Sequence, residues 1–132
     1  MTRKLLMAIV VLLGSACATA TEEIALSECG TSARLHPGDT LVIRLPSQAT
    51  AGYLWHLASK AAGILQPKGE SSIEWASNQP DRDGGSEIQI FRFQAMAVGQ
   101  ERLTFHETHP WAMEDPPLRT CTLDIEVAPT EP

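Results

Sequence analysis

The chain has 132 residues, of which 43% are hydrophobic and 20% charged, and its formal net charge is −6. This length corresponds to one domain and excludes large catalytic architectures such as a (β/α)₈ barrel. Sixteen acidic against ten basic residues, with the basic ones scattered, argue against nucleic-acid binding, which needs clustered Lys and Arg.

The start of the chain has the pattern of a secretory signal. Arg3 and Lys4 give a positively charged beginning, and an unbroken apolar run follows at Leu5–Leu13. This run is too short for a transmembrane helix, which needs about 20 residues. Small residues complete the signal. We therefore expect residues 1–20 to direct export and residues 21–132 to form a single exported domain.

Two cleavage sites fit the small residues that end this signal. Ala18-Thr19-Ala20 matches the small-x-small pattern and would release a chain beginning at Thr21. Gly14-Ser15-Ala16-Cys17 resembles a lipoprotein box, in which Cys17 would become the lipidated first residue of a membrane-anchored protein. Both alternatives predict an exported domain that is periplasmic, anchored to a membrane or secreted.

Two cysteines remain in the exported domain, Cys29 and Cys121. An even number of cysteines in an oxidising compartment favours a disulfide over two buried free thiols. The bridge would close a loop across most of the domain. By the loop-entropy argument it would contribute about 3–5 kcal/mol to the free energy of unfolding.

Beyond residue 21, apolar side chains alternate with polar ones, which is the period-two pattern of half-buried strands. Turn signals separate these segments at short intervals, and no window predicts a full amphipathic helix. We expect strands at Ile24–Glu28, Thr40–Leu45, Tyr53–Leu57, Ile64–Gln66, Ser72–Trp75, Ser86–Ala97, Arg102–His106 and Leu118–Val127.

Seven or eight short strands in one domain predict an all-β fold, specifically an immunoglobulin-like β-sandwich. Trp55 lies on a mid-sequence strand, where its ring would fill the space between the two sheets. Residues 128–132 are expected to form a polar, disordered tail.

Three segments between strands carry residues that suit contact with another surface. Residues 46–52 are small and uncharged, so their backbone can approach a partner closely. Residues 78–85 are polar and end in two glycines. Residues 108–117 hold Trp111 beside a proline, and an exposed indole is costly in water unless it covers something.

In order along the chain, these loops resemble the motifs of the chagasin-type inhibitors of cysteine peptidases. Gln48–Trp55 resembles that family's Asn-Pro-Thr-Thr-Gly-Tyr/Phe-x-Trp signature. Gly84-Gly85 resembles the end of its Gly-x-Gly-Gly loop, and His109-Pro110-Trp111 resembles its Arg-Pro-Trp loop. The resemblance spans about residues 34–127 and implies an immunoglobulin-like fold, in agreement with the strand pattern.

The resemblance implies a reversible inhibitor of papain-like cysteine peptidases, which is not an enzyme, needs no cofactor and is expected to be a monomer. Its loops would form a wedge in the active-site cleft, with residues 50–52 lying across the catalytic cysteine and histidine of the target. The glycine pair would contact one wall of the cleft, and Trp111, oriented by Pro110, would contact the other. The implied peptidase-binding residues are Thr50, Ala51, Gly52, Tyr53, Gly84, Gly85, His109, Pro110 and Trp111.

The motifs depart from the family pattern at Gln48, Ala49, Ala51, Arg82 and His109. Ala49 replaces a proline and Ala51 replaces a threonine, so the first loop should be less rigid and lack one hydroxyl partner. Arg82 stands where a glycine is expected. His109 replaces a permanent cation by a residue type whose unperturbed pKa is near 6.5. We therefore expect weaker inhibition than that of a full-motif member, strengthening toward acidic pH.

The competing interpretation is a cell-envelope binding or assembly module that has the same fold and does not inhibit peptidases. His106-Glu107-Thr108-His109 suggests metal ligands, but residues three apart on a strand point to opposite faces, and no Cys pair completes a zinc set. No Gly-x-Ser-x-Gly motif of a hydrolase occurs. We therefore predict neither a metal site nor catalytic residues.

Overall fold

The computed structural model describes residues 21–75 and 87–130, and these form nine β-strands and one 3₁₀ turn. The strands are β1 (Glu23–Leu26), β2 (Ser32–Leu35), β3 (Thr40–Ser47), β4 (Leu54–Leu57), β5 (Leu65–Pro67), β6 (Ser72–Trp75), β7 (Glu87–Ala95), β8 (Gly99–Thr108) and β9 (Arg119–Val127), and the 3₁₀ turn is Ala49–Ala51. Within the described ranges, no helix is long and apolar enough to cross a membrane.

The strands pack as two sheets. One has the order β1-β3-β7, and β5 and β6 both pair with the remaining edge of β7. The other has the order β2-β9-β8-β4. Among these nine strands, β1 pairs with β3 and β2 with β9 in parallel, and the other pairs are antiparallel. The all-β, immunoglobulin-like sandwich is therefore confirmed, and the described residues alone form nine strands where seven or eight were expected.

Strand β2 is the element that the sequence pattern did not predict. It pairs in parallel with β9, and its four residues are too few, with Ser and Ala among them, to give a period-two signal. The same pairing corrects the expected tail. Ala128 is buried, and its N–H donates to the Leu35 carbonyl at 2.8 Å, so residue 128 belongs to the sandwich.

The core lies between the two sheets and is formed by inward-facing side chains of both. Phe105 on β8 is fully buried, and its ring centroid lies 4.7 Å from that of Phe91 and 6.3 Å from that of Phe93, both on β7. Trp55 on β4 is buried, as predicted. Burying each large apolar side chain contributes about 1.5–3 kcal/mol, so these contacts hold the sheets together.

Cys29 and Cys121 form the predicted disulfide. It joins the β1–β2 connection to the buried face of β9 across 92 residues of sequence. Beside it, the Gly30 N–H donates to the Thr122 carbonyl at 2.8 Å. A covalent bond and a hydrogen bond therefore fix this connection on β9.

A buried amide links the sheets beside β4. Gln89 of β7 accepts a hydrogen bond from the Trp55 N–H through Oε1 at 2.8 Å, and its Nε2 donates to the Trp55 carbonyl at 2.9 Å. The same Nε2 donates to Ser71 Oγ at 3.0 Å. The side chain of Gln89 thus occupies the place that a neighbouring strand would take at the edge of β4. This fixes β4 where it leaves the first of the predicted loops.

Candidate functional site

Two of the three predicted loops leave the same end of the sandwich. The β3–β4 connection runs from Ser47 to Leu54, and the β8–β9 connection runs from Thr108 to Arg119. Leu54 pairs directly with Thr108 in the β4–β8 ladder, so the two loops lie side by side. We call this surface, residues 48–53 and 109–118, the loop pole.

The remaining predicted loop falls within residues 76–86, outside the described residues. The strand residues on either side of it lie at the same end of the molecule, because Trp75 pairs with Glu87 and Glu87 pairs with Ser47. The predictions that lie outside the described residues are the export signal over residues 1–20, with Cys17, and those on Arg82, Gly84 and Gly85.

The first loop is a compact turn. The Ala51 N–H donates to the Gln48 carbonyl and the Gly52 N–H to the Ala49 carbonyl, both at 2.9 Å. Gly52 ends the turn in the left-handed region at φ +84°. The buried carboxylate of Glu87 accepts the Thr50 N–H through Oε2 at 3.2 Å. Hydrogen bonds therefore hold the turn, although residue 49 is Ala and not Pro.

A three-ring stack joins the two loops. The His109 ring lies between Tyr53, at a centroid distance of 3.9 Å, and Trp111, at 4.4 Å. Both pairs are close to parallel, with interplanar angles of 26° and 14°. His109 Nδ1 also lies 3.0 Å from the Gly52 carbonyl oxygen. Trp111 is at the outer end of the stack and is 76% exposed, so most of its indole surface is open to solvent.

The base of the loop pole is held by an ion pair between the buried Glu107 and Arg119, whose side chain is 40% exposed. Arg119 donates to Glu107 through Nε at 2.7 Å and through Nη2 at 2.8 Å, and Glu107 is fully buried. The hydrogen bond to Glu107 raises the pKa of Arg119, so the guanidinium keeps its charge. The Pro46 carbonyl, from which the first loop departs, accepts both Arg119 Nη2 at 2.9 Å and Trp55 Nε1 at 2.8 Å.

The sequence reasoning did not identify this ion pair, although its signal is present. Glu107 continues the inward series of Leu103 and Phe105 on β8, and Arg119 precedes Cys121 on the inward face of β9. A carboxylate in an inward register is costly without a partner. Two opposite charges at the same end of adjacent strands therefore predict an ion pair.

The predicted residues 50–53 and 109–111 lie together at the loop pole. They differ in how exposed they are to solvent. Thr50, Ala51, Pro110 and Trp111 are exposed, whereas Gly52, Tyr53 and His109 are partly covered. His109 therefore faces its own neighbours as well as solvent. Met113, exposed two residues beyond Trp111, is a further apolar side chain at the pole that sequence reasoning missed.

The histidines near the pole do not assemble a metal site in residues 21–75 and 87–130, where no group of three potential ligands comes together. His56 and His106 face each other across β4 and β8 with ring centroids 5.9 Å apart. Burial, and then the proximity of His106, lower the pKa of His56. This environment therefore favours the neutral form of the His56 imidazole.

Gly52 is the residue on which the contact between the loops places the tightest limit. A Cβ atom at this position would lie 3.1 Å from Trp111 Cη2 and 3.4 Å from His109 Nδ1. We expect Gly52→Ala to lower the free energy of unfolding by about 1–2 kcal/mol through its left-handed backbone. It should also displace Trp111, which the NMR signal of the Trp111 Nε1–H would report.

Gly63→Ala is the matched control. Gly63 has nearly the same backbone angle, φ +83°, but a Cβ there meets nothing within 4 Å. It should lower stability by a similar amount and leave the Trp111 signal unchanged. An unchanged Trp111 signal in Gly52→Ala would contradict the packing of the two loops.

Comparison with known proteins identifies a family whose model matches most of the chain. The model of the family described as chagasin family peptidase inhibitor I42 matches residues 34–125. No curated protein sequence matches the chain significantly.

Solved structures with the same fold include the cysteine protease inhibitor EhICP2 from Entamoeba histolytica, with a TM-score of 0.64 and 16% identity over 82% of this chain and 97% of that one. Amebosin has a TM-score of 0.57 and 22% identity over 80% and 98%, respectively. ICP of Leishmania mexicana has a TM-score of 0.50 and 18% identity over 85% and 93%. These likenesses show the shared fold, and the family match covers most of the chain. The chain therefore belongs to the chagasin family of peptidase inhibitors, whose members are inhibitors and not enzymes.

Proposed function

We propose that this protein is a reversible inhibitor of papain-like cysteine peptidases and that its loop pole enters the active-site cleft of the target. The observation that supports this most is Trp111, which is 76% exposed and is stacked on the ring of His109. An exposed indole fixed in place before binding is well suited to be the main anchor of an interface. The indole itself would lose little conformational freedom on binding.

The turn at residues 49–52 suits a segment that blocks a cleft without being cleaved. A peptidase cuts an extended chain whose backbone groups pair with the enzyme. Here the N–H groups of Ala51 and Gly52 are already bonded within the turn, and that of Thr50 is bonded to Glu87. The exposed tip at Thr50 and Ala51 would lie across the catalytic cysteine and histidine without presenting a cleavable bond.

The other loops would contact the walls of the cleft. Trp111, with Pro110 beside it, would pack on one wall, and Gly84 and Gly85 would contact the opposite wall. This arrangement agrees with the pairing of Glu87 with both Trp75 and Ser47, because the connection between β6 and β7 then starts and ends at the same end of the sandwich as the first loop. We propose that the inhibitor acts as a monomer.

Inhibition of papain with a fluorogenic substrate tests the proposal. Residues 21–132 should inhibit at nanomolar to low micromolar concentration. Trp111→Ala should weaken inhibition by about 30-fold or more, because truncating a central aromatic anchor costs about 2 kcal/mol.

Val98→Ala is the control, because Val98 is an exposed apolar residue in the β7–β8 hairpin at the other end of the sandwich. It should leave the inhibition constant unchanged. Absence of inhibition at high micromolar concentration would contradict the proposal and favour a cell-envelope module that inhibits no peptidase. An equal loss in both variants would contradict the assignment of the loop pole.

We also propose that residues 1–20 direct export, leaving residues 21–132 as the functional domain. The disulfide between Cys29 and Cys121 supports this, because such bonds persist in oxidising compartments. Two mature forms are compatible with the sequence, a chain beginning at Thr21 and a lipoprotein beginning at acylated Cys17. The first would be periplasmic or secreted, and the second anchored to a membrane.

The intact mass of the full-length gene product, purified from cells that express it, distinguishes these forms. Either the mass of residues 21–132 or that of an acylated chain from Cys17 agrees with export. The cysteine variant Cys17→Ser should abolish acylation in the second case only. Recovery of an unprocessed chain that still begins at Met1 would contradict export.

A further inference from the structure

We propose that His109 is a positioning residue, which locks the two loops of the inhibitory surface together before a peptidase binds. The contacts that support this role are within the protein itself, and only its effect on inhibition rests on the proposed function. His109 is in the middle of the stack, and no other side chain in the described part of the loop pole contacts both Tyr53 and Trp111 through ring stacking.

The first step is the hydrogen bond across the loops. His109 Nδ1 lies 3.0 Å from the Gly52 carbonyl oxygen, a distance typical of a good N–H···O bond. A carbonyl oxygen only accepts, so Nδ1 must carry a proton. That requirement is met both by the neutral Nδ1–H tautomer and by the imidazolium. The bond therefore persists whether or not the ring is charged.

The second step is the stack. Tyr53 follows Gly52 in the first loop, and Trp111 is in the other, so a ring between them transmits the position of one loop to the other. Aromatic pairs at such distances are attractive beyond the area they bury. Because Gly52 has no side chain, the indole can pack close to the turn, where a Cβ atom would lie 3.1 Å from Trp111 Cη2. The indole therefore packs beside Gly52 as well as on the ring of His109.

The consequence concerns affinity. Trp111 has few contacts of its own with the rest of the domain, since 76% of its surface is exposed. Without His109 the indole would sample several rotamers, and binding would have to order it. Fixing a side chain in its bound position raises affinity by removing that ordering cost. His109 would therefore strengthen inhibition even where it does not contact the peptidase.

Three substitutions separate the contributions of His109. His109→Phe keeps a flat ring and removes the donor, and should weaken papain inhibition by about 3- to 10-fold. His109→Ala removes both contacts, and should weaken it by about 10- to 100-fold. His109→Arg supplies a planar group with N–H donors that can stack, and should restore inhibition to within about 3-fold of the unsubstituted protein.

NMR of the free protein provides the readout that a general loss of stability would not mimic. The imidazole nitrogen signals should show a protonated Nδ1 on His109 at neutral pH. In His109→Ala, the Trp111 Nε1–H signal should shift and broaden, while that of the buried Trp55 should not change. Thermal unfolding checks that every variant is folded.

The NMR test of His109 does not depend on whether the protein inhibits papain. If the unsubstituted protein does not inhibit papain, the NMR signals still test whether His109 positions Trp111. An Nε2–H tautomer, or an unchanged Trp111 signal in His109→Ala, would overturn the inference. So would a strong loss of inhibition in His109→Ala with no effect on the free indole, because His109 would then act by touching the peptidase directly.

Discussion

The contact between the Gly52 bend and the ring of His109 is the constraint on which the account of this protein depends. The first loop crosses from one sheet to the other over the end of the sandwich, and the second connects two strands of a single sheet. Nothing in the strand ladders alone would fix one loop against the other beyond their first residues. The two loops are fixed against each other by one hydrogen bond and two ring stacks. The absence of a Cβ at Gly52 leaves the space that these contacts need.

Buried polar groups support this surface from below. Three hydrogen bonds contribute, and they join Glu107 to Arg119, Gln89 to Trp55, and Glu87 to Thr50. A hydrogen bond depends on the orientation of its groups, whereas an apolar contact in the same place would not. Burying such groups adds little to stability, and leaving a buried polar group without its partner is costly. Their effect here is geometric, because every one of them acts on the backbone that leads into or out of the first loop, or on the base of the second. The buried polar side chains at this end of the domain therefore hold the two loops in position.

Sequence patterning predicted most of the fold, for physical reasons. Period-two alternation reports one buried face, and it located the strands that line the core, such as β9 with Cys121 and Leu123. It did not identify β2, because four residues that pair with a strand about 90 positions away carry no local signal. The family resemblance placed residues 50–53 and 109–111 on one surface. The stack of Tyr53, His109 and Trp111 could not be predicted, because it depends on how two loops far apart in sequence pack against each other.

The central claim is that the loop pole covers the catalytic thiol of a papain-like peptidase. The most direct test is the rate at which iodoacetamide alkylates the catalytic cysteine of papain, followed by mass spectrometry with and without a saturating amount of residues 21–132. The account predicts a strong decrease in the alkylation rate, and a smaller decrease at the same protein concentration when Trp111 is replaced by Ala. An unchanged alkylation rate while the two proteins are demonstrably bound would contradict it, because the inhibitor would then bind papain away from the cleft.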